Sequence, residues 1–201
     1  MSLCFFSKHT CFVLKQTASH GLVLFMLNLL GWGLLMEVFH VFTGSVQTCA
    51  QVVREGHLVA IAPGGVLEAQ FSDENYNLLW GRRTGFAKVA LQTQCPVIPV
   101  FTKNVREAFR SISVGRSLLR KLYDKTRIPV VPIYGGFPVR LRTYIGKPVS
   151  YDENTSPEEL VEKTAEAVRN LIYQHQKLPG NILRALMERV YEPKKEKLKK
   201  A

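Results

Sequence analysis

The sequence predicts an α/β domain, a mixed, mostly parallel sheet flanked by helices, preceded by an N-terminal hydrophobic segment. Three observations carry this. Two continuous apolar runs, 57–62 and 96–102, have the length and content of strands buried on both faces of a sheet. Around them stand stretches with the 3.6-residue apolar period of helices that cover a sheet. Residues 21–42 are apolar almost throughout, broken by Asn28, Glu37 and His40, and long enough to cross about 30 Å of hydrocarbon as a helix. A chain of 201 residues, 46% hydrophobic and 21% charged, suits one domain with a real core. That domain is expected over 44–190, after an N-terminal stretch 1–43 and before a basic tail 191–201.

The apolar segment 21–42 has two readings: a membrane-embedded anchor, or two buried helices broken at Gly31, Trp32 and Gly33. Lys8 and Lys15 precede it without nearby acids, which places the N-terminus on the cytoplasmic side if the anchor forms. A helix is then expected through 47–54, with Gly56 as its stop. The run 57–62 is a strand that ends in Pro63, Gly64 and Gly65. Residues 85–94 read as a helix, and 96–102 as a second interior strand entered through prolines. Val139, Leu141, Thr143 and Ile145 alternate with Arg140, Arg142 and Tyr144, the pattern of a half-exposed strand. Ser156, Pro157 and Glu159 open a further helix with a capping box and an N1 proline. Leu160, Val161, Val168, Leu171 and Ile172 give it an apolar stripe, and Pro179 and Gly180 stop it.

Net charge is +11, from 27 basic and 16 acidic residues, which favours anionic partners without choosing among them. Lys194, Lys195, Lys197, Lys199 and Lys200 form either a solvated tail or a contact to an anionic membrane. The basic residues are scattered and the tail lacks aromatics, so no nucleic acid is expected as a partner. Cys4, Cys11, Cys49 and Cys95 have no spacing that would build a metal site, and no metal is expected.

The most informative stretch is Pro63-Gly64-Gly65-Val66-Leu67-Glu68-Ala69. Adjacent glycines let backbone N–H groups approach a ligand, and the carboxyl end of a strand is where open α/β sheets place their sites. The stretch is neither G-x-G-x-x-G nor a P-loop, so it gives no ground for nucleotide binding. Arg82, Arg83, Lys103 and Arg106 cluster around the loops after the two strands. They form either a phosphate-binding set or a solvated basic face.

This stretch is followed in order by Trp80-Gly-Arg-Arg-Thr-Gly-Phe-Ala-Lys-Val-Ala90, by Pro96-Val-Ile-Pro99-Val-Phe101, by Tyr134-Gly-Gly-Phe-Pro138 and by Gly146-Lys-Pro148. Together these motifs resemble the glycerolipid acyltransferases, specifically the mono- and diacylglycerol acyltransferases of the lysophosphatidate acyltransferase superfamily, over roughly 34–190. The resemblance implies the fold of that family, incomplete at the N-terminus. It implies transfer of an acyl group from acyl-CoA, as donor substrate and with no cofactor, to the hydroxyl of monoacylglycerol or diacylglycerol. Membrane lipid is then a partner, and the location the endoplasmic reticulum membrane with the domain facing the cytosol. It implies substrate-binding roles for Pro63, Gly64, Gly65, Glu68, Arg82, Arg83 and Pro99. Where the superfamily has F-P-E-G-T-R, this chain has Gly64 at the acid and Leu67 at the arginine, so a neutral acceptor is implied.

The family's catalytic block is H-x-x-x-x-D. Its histidine removes the proton from the attacking hydroxyl, and its aspartate orients the imidazole. Five residues beyond His9, His20, His40, His57 and His175 stand Leu14, Phe25, Ser45, Ala62 and Gly180, none an acid. No catalytic residue is therefore assigned, and the first 30 or so residues read as an alternative or truncated N-terminus. Loss of a positioned base lowers a rate by about 10²- to 10⁴-fold. His57 heads a strand at the end opposite the Gly-Gly turn, roughly 20 Å away. A catalytically silent isoform that binds lipid or partners a full-length enzyme is the alternative.

Overall fold

The computed structural model describes residues 2–6, 10–14, 41–43, 45–112, 116–126 and 132–191. The hydrophobic segment, save its last two residues, and the tail beyond Tyr191 lie outside the described residues. Among those described, no helix is long and apolar enough to cross a membrane.

The strands are β1 (Ser2–Phe6), β2 (Thr10–Leu14), β3 (Val41–Thr43), β4 (Leu58–Ile61), β5 (Ile98–Lys103), β6 (Phe109–Ser111), β7 (Ile133–Gly135) and β8 (Arg142–Ile145). Six of them form one sheet in the order β3-β2-β4-β1-β5-β8, and β6 pairs with β7 apart from it. β2 runs parallel to β3 and to β4. β1 is antiparallel to both β4 and β5, and β5 is antiparallel to β8. The expectation of a mostly parallel sheet is thereby corrected. β4 and β5 do point the same way, as a strand-helix-strand unit requires, but they are not neighbours. β1 is inserted between them, with Phe5 opposite Ala60 on one side and Ile98 on the other. An insertion from the far end of the chain leaves no mark on the local pattern of 57–102.

The helices are α1 (Val46–Arg54), α2 (Gly65–Phe71), α3 (Gly85–Thr93), α4 (Val105–Ala108), α5 (Arg116–Thr126), α6 (Pro157–His175) and α7 (Ile182–Val190). Ser45 caps α1 by accepting from Thr48 N at 3.1 Å, and Ser156 caps α6 by accepting from Glu159 N at 3.1 Å. The helix α6 ends at His175, before the expected Pro179 stop, because Gln176 turns extended. α1, α3 and α6 pack on one another and over β4 and β5. Their core joins Val53, Val59, Trp80, Phe86, Val89, Val97, Phe101, Leu160, Val168 and Ile172. Each fully buried aliphatic side chain there stabilises the fold by about 1.5–3 kcal/mol.

The strand expected around residue 142 is shorter than its alternating pattern, and its apolar side is the open one. Leu141 and Ile145 are exposed, whereas Tyr144 turns inward and stacks on His175 of α6 with ring centroids 3.7 Å apart. β8 is an edge strand, and it is α6 that chooses which of its faces is covered.

Candidate active site

β4 delivers the chain into Pro63-Gly64-Gly65, and the helix α2 begins at once, where a plain turn was expected from sequence. Gly64 is buried and has no room for a side chain: a Cβ there would stand 2.7 Å from Glu68 Cδ and closer still to Glu68 Cβ and Oε2. Gly65, at φ +52°, takes a left-handed conformation that costs other residues strain. The half-buried Arg83 holds this turn from the side. Its Nη1 donates to the carbonyls of Pro63, at 3.2 Å, and Gly64. α2 has no side-chain N-cap. Its stability comes from the other end, where the buried Arg106 donates to the carbonyls of Glu68 at 2.6 Å and Ala69 at 2.8 Å. A guanidinium on the last carbonyls also complements the helix dipole. Burial pushes Arg106 below its ordinary pKa, and the neighbouring Glu68 charge opposes that shift.

Arg106 is fixed from beneath by a second buried group. The Tyr76 hydroxyl accepts from Arg106 N at 3.1 Å and donates to Glu107 Oε2 at 2.5 Å. Glu107 is fully buried. Burial, then the hydrogen bond and charge of Glu107, push the Tyr76 phenol far above its ordinary pKa.

Between α2 and the α4–β6 segment lies a cleft of about 220 Å³. Ala62, Gly65, Val66, Glu68 and Ala69 form one wall, and Val105, Arg106, Phe109, Ser111 and Ile133 the other. Glu68 and Arg106 are its ionisable lining, and the rest is mostly apolar. The volume falls below the roughly 300 Å³ that encloses a drug-sized ligand, so it accommodates part of a larger ligand rather than all of it. The family-like Tyr134-Gly135-Gly136-Phe137 stretch shapes the second wall: Ile133 pairs with Ser111, and Gly136 N donates to Ala108 O at 2.9 Å.

Of the residues singled out from sequence, Gly65 and Glu68 line the cleft, while Pro63 and Gly64 form the buried turn behind it. Arg83 braces that turn, and Arg82 beside it is exposed. Pro99 is not with them. It lies near the amino end of β5, accepts from Gly146 N at 2.8 Å, and lines a separate groove of about 740 Å³ between β8 and α6. Two other members of the basic set are engaged inside the protein: Lys103 with Glu188 at 2.6 Å, and Arg106 with α2. His57 precedes β4 at the end away from the cleft, and His175 is stacked on Tyr144. His9, His20 and His40 lie outside the described residues. Sequence reasoning missed Phe109 and Ile133 as cleft walls, since two apolar residues 24 positions apart carry no local signal. It also left Arg106 between a phosphate-binding set and a solvated basic face, whereas the guanidinium is buried on the helix end.

The strand-end Gly-Gly turn and the short helix after it fall within the stretch that a family model matches. The Acyltransferase family model matches residues 4–103, half of the chain, and starts well before the stretch in which the motifs were recognised. The chain belongs to the acyltransferase family. Within it the chain is similar to proteins named "DGAT1/2-independent enzyme synthesizing storage lipids": 52% identical over 167 residues to the Homo sapiens protein, covering 83% of this chain and 51% of that one. The Bos taurus protein is 52% identical over 165 residues, covering 82% and 49%, and the Gallus gallus protein 51% over 172 residues, covering 86% and 52%. This chain thus spans about half the length of the curated relatives it matches. No solved structure matches it.

Proposed function

We propose that the cleft at the end of β4 takes the glycerol end of a neutral glycerolipid, monoacylglycerol or diacylglycerol, as acceptor of an acyl group from acyl-CoA. The observation that carries this reading is the cleft's lining. Among the described residues its one cation, Arg106, is already bonded to two carbonyls, and Leu67, which stands where the superfamily motif has arginine, packs with Phe71 and Tyr123 outside the cleft. A phosphate on the acceptor would meet, among the described lining residues, no cation that is not already bonded, whereas a glycerol hydroxyl needs none. The relatives' name, with its storage lipids, supports the same substrate class. The exposed Arg82 is the available partner for a CoA phosphate. The reaction is direct: the acceptor hydroxyl oxygen attacks the thioester carbonyl, the hydroxyl proton leaves to a base, and CoA departs as the thiol. The endoplasmic reticulum membrane, with the domain on its cytosolic side, is the setting in which both substrates meet.

The absence of an H-x-x-x-x-D spacing in these 201 residues favours a second reading, in which the chain binds lipid or an active partner without doing chemistry. Acyl transfer from labelled acyl-CoA separates the two. Membranes carrying this chain are compared with membranes carrying a version with an upstream H-x-x-x-x-D block, each offered monoacylglycerol, diacylglycerol and lysophosphatidate. Transfer to the neutral acceptors in both membranes supports catalysis by this chain, and transfer only with the added block supports the silent reading. Preference for lysophosphatidate would refute the neutral acceptor.

A further inference from the structure

Helix α7 is amphipathic in the sense opposite to that of an ordinary surface helix. Its polar side chains bond to the protein. Glu188 holds the Lys103 ammonium at 2.6 Å, Arg184 donates to the carbonyls of Lys177 and Pro179 at 2.6 and 2.7 Å, and Ala185 between them is buried. Its apolar side chains face out. Leu183, Met187 and Val190, spaced four and three apart on one side of the helix, are 71%, 63% and 87% exposed. Polar bonds fix the helix in this orientation, so the outward face is not a matter of loose packing. A contiguous apolar surface held open in this way marks a place that another phase or molecule covers.

Charge decides which. Arg189, exposed while donating to Pro138 O at 3.1 Å, lies beside Val190, and the sequence after Tyr191 adds Lys194, Lys195, Lys197, Lys199 and Lys200 against two acids, Glu192 and Glu196. An apolar helix face beside a basic stretch complements a lipid surface with anionic headgroups. The placement fits as well, because α7 packs against α4, whose Val105 and Arg106 line the cleft. We propose that α7 lies in the interface of an anionic membrane, with Leu183, Met187 and Val190 at the acyl boundary, so that the cleft sits beside the layer that holds its lipid. This surface deepens the acyltransferase reading, but its observations do not depend on catalysis.

The test uses the full chain with p-benzoylphenylalanine placed at Met187 or at Val190, and at the exposed Gln92 of α3 as reference. Each protein is irradiated with vesicles of phosphatidylcholine alone and of phosphatidylcholine with phosphatidylserine, and its adducts are identified by mass spectrometry. Phospholipid adducts at 187 and 190 are expected to exceed those at 92, and to rise roughly fivefold or more when phosphatidylserine is present. Lipid labelling no higher than at 92, equal labelling in the two vesicles, or adducts to protein instead of lipid would each overturn the proposal. Lipid adducts in a chain that transfers no acyl group leave this surface standing and remove only the catalytic reading. Transfer without adducts at 187 and 190 does the reverse.

Discussion

Replacing Gly64 by alanine tests the packing behind the cleft, because two lines of reasoning give it opposite signs. Gly64 has φ −72° and ψ −24°, a conformation open to any L-residue. On backbone grounds alone, Gly64→Ala should stabilise by about 0.4–1 kcal/mol, through a more restricted unfolded chain. The structure predicts the reverse. The new Cβ would meet Glu68 Cδ at 2.7 Å and Glu68 Cβ closer still, and a Cβ cannot swing aside like the end of a side chain. Either the first turn of α2 shifts or the Gly-Gly turn does, and overpacking of this kind costs about 1–3 kcal/mol. For a chain of this size that lowers the melting temperature by roughly 2–12 °C. The assay is thermal unfolding of Gly64→Ala, Glu68→Gly and the double variant under one set of conditions. The glycine at 68 weakens α2 by itself, by about 1 kcal/mol, but removes the atoms that collide, so the double variant should be more stable than the sum of the singles by at least about 1 kcal/mol. A Gly64→Ala protein that melts at or above the parent, or strictly additive variants, would refute the claim that Glu68 fills the space of a residue-64 side chain.

Four further outcomes are expected. Arg82→Ala should weaken acyl-CoA binding while leaving stability within about 0.5 kcal/mol, and Arg83→Ala should lower stability by about 1–3 kcal/mol, since the buried Pro63 carbonyl loses its donor and that of Gly64 keeps only Glu68 N; calorimetric titration beside denaturant unfolding separates them. Losing Arg82 and Arg83 together should weaken acyl-CoA binding more than losing Arg140 and Arg142 together. Tyr76→Phe deprives the buried Glu107 of its hydroxyl donor and should cost about 2–4 kcal/mol, with partial recovery on adding Glu107→Gln, read from denaturant midpoints. Burial pushes the Glu188 carboxyl up, but the hydrogen bond and charge of Lys103, with a hydrogen bond from Asn104 and the charge of Lys177, together outweigh it and hold the net pKa below the usual range. An acid depressed in the fold contributes stability that is present above its unfolded pKa and lost as pH falls through the folded one. Glu188→Gln should therefore flatten stability against pH below about pH 4.3, as unfolding across an acid series would show.

The residue pattern by itself determined a good deal. Strands such as Leu58–Ile61 and Ile98–Lys103 are buried on both faces, and continuous apolar runs report that directly. The cap at Ser156 is local chemistry, one side chain bonded to a backbone three residues on, so it too was legible, whereas the same bond at Ser45 was not read. Ordered motifs identified the family, and the Gly-Gly turn marked one end of the cleft. What the tertiary structure decided is non-local. The placing of β1 between β4 and β5 turns a mixed, mostly parallel reading into a sheet in which antiparallel pairings prevail, because strand neighbours are chosen by the whole chain's hydrogen-bond pairing and not by the intervening residues. α2, with two glycines at its start and no side-chain cap, exists because Arg106, about 40 residues away, binds its last carbonyls. The same bond removes Arg106 from the set of phosphate ligands, and Pro99 leaves the site because strand direction sends it to the other end of the sheet. Composition lists which charges a chain owns. Only the packed fold shows where each of them is held, since a guanidinium that donates to two carbonyls of a helix end is fixed at that end.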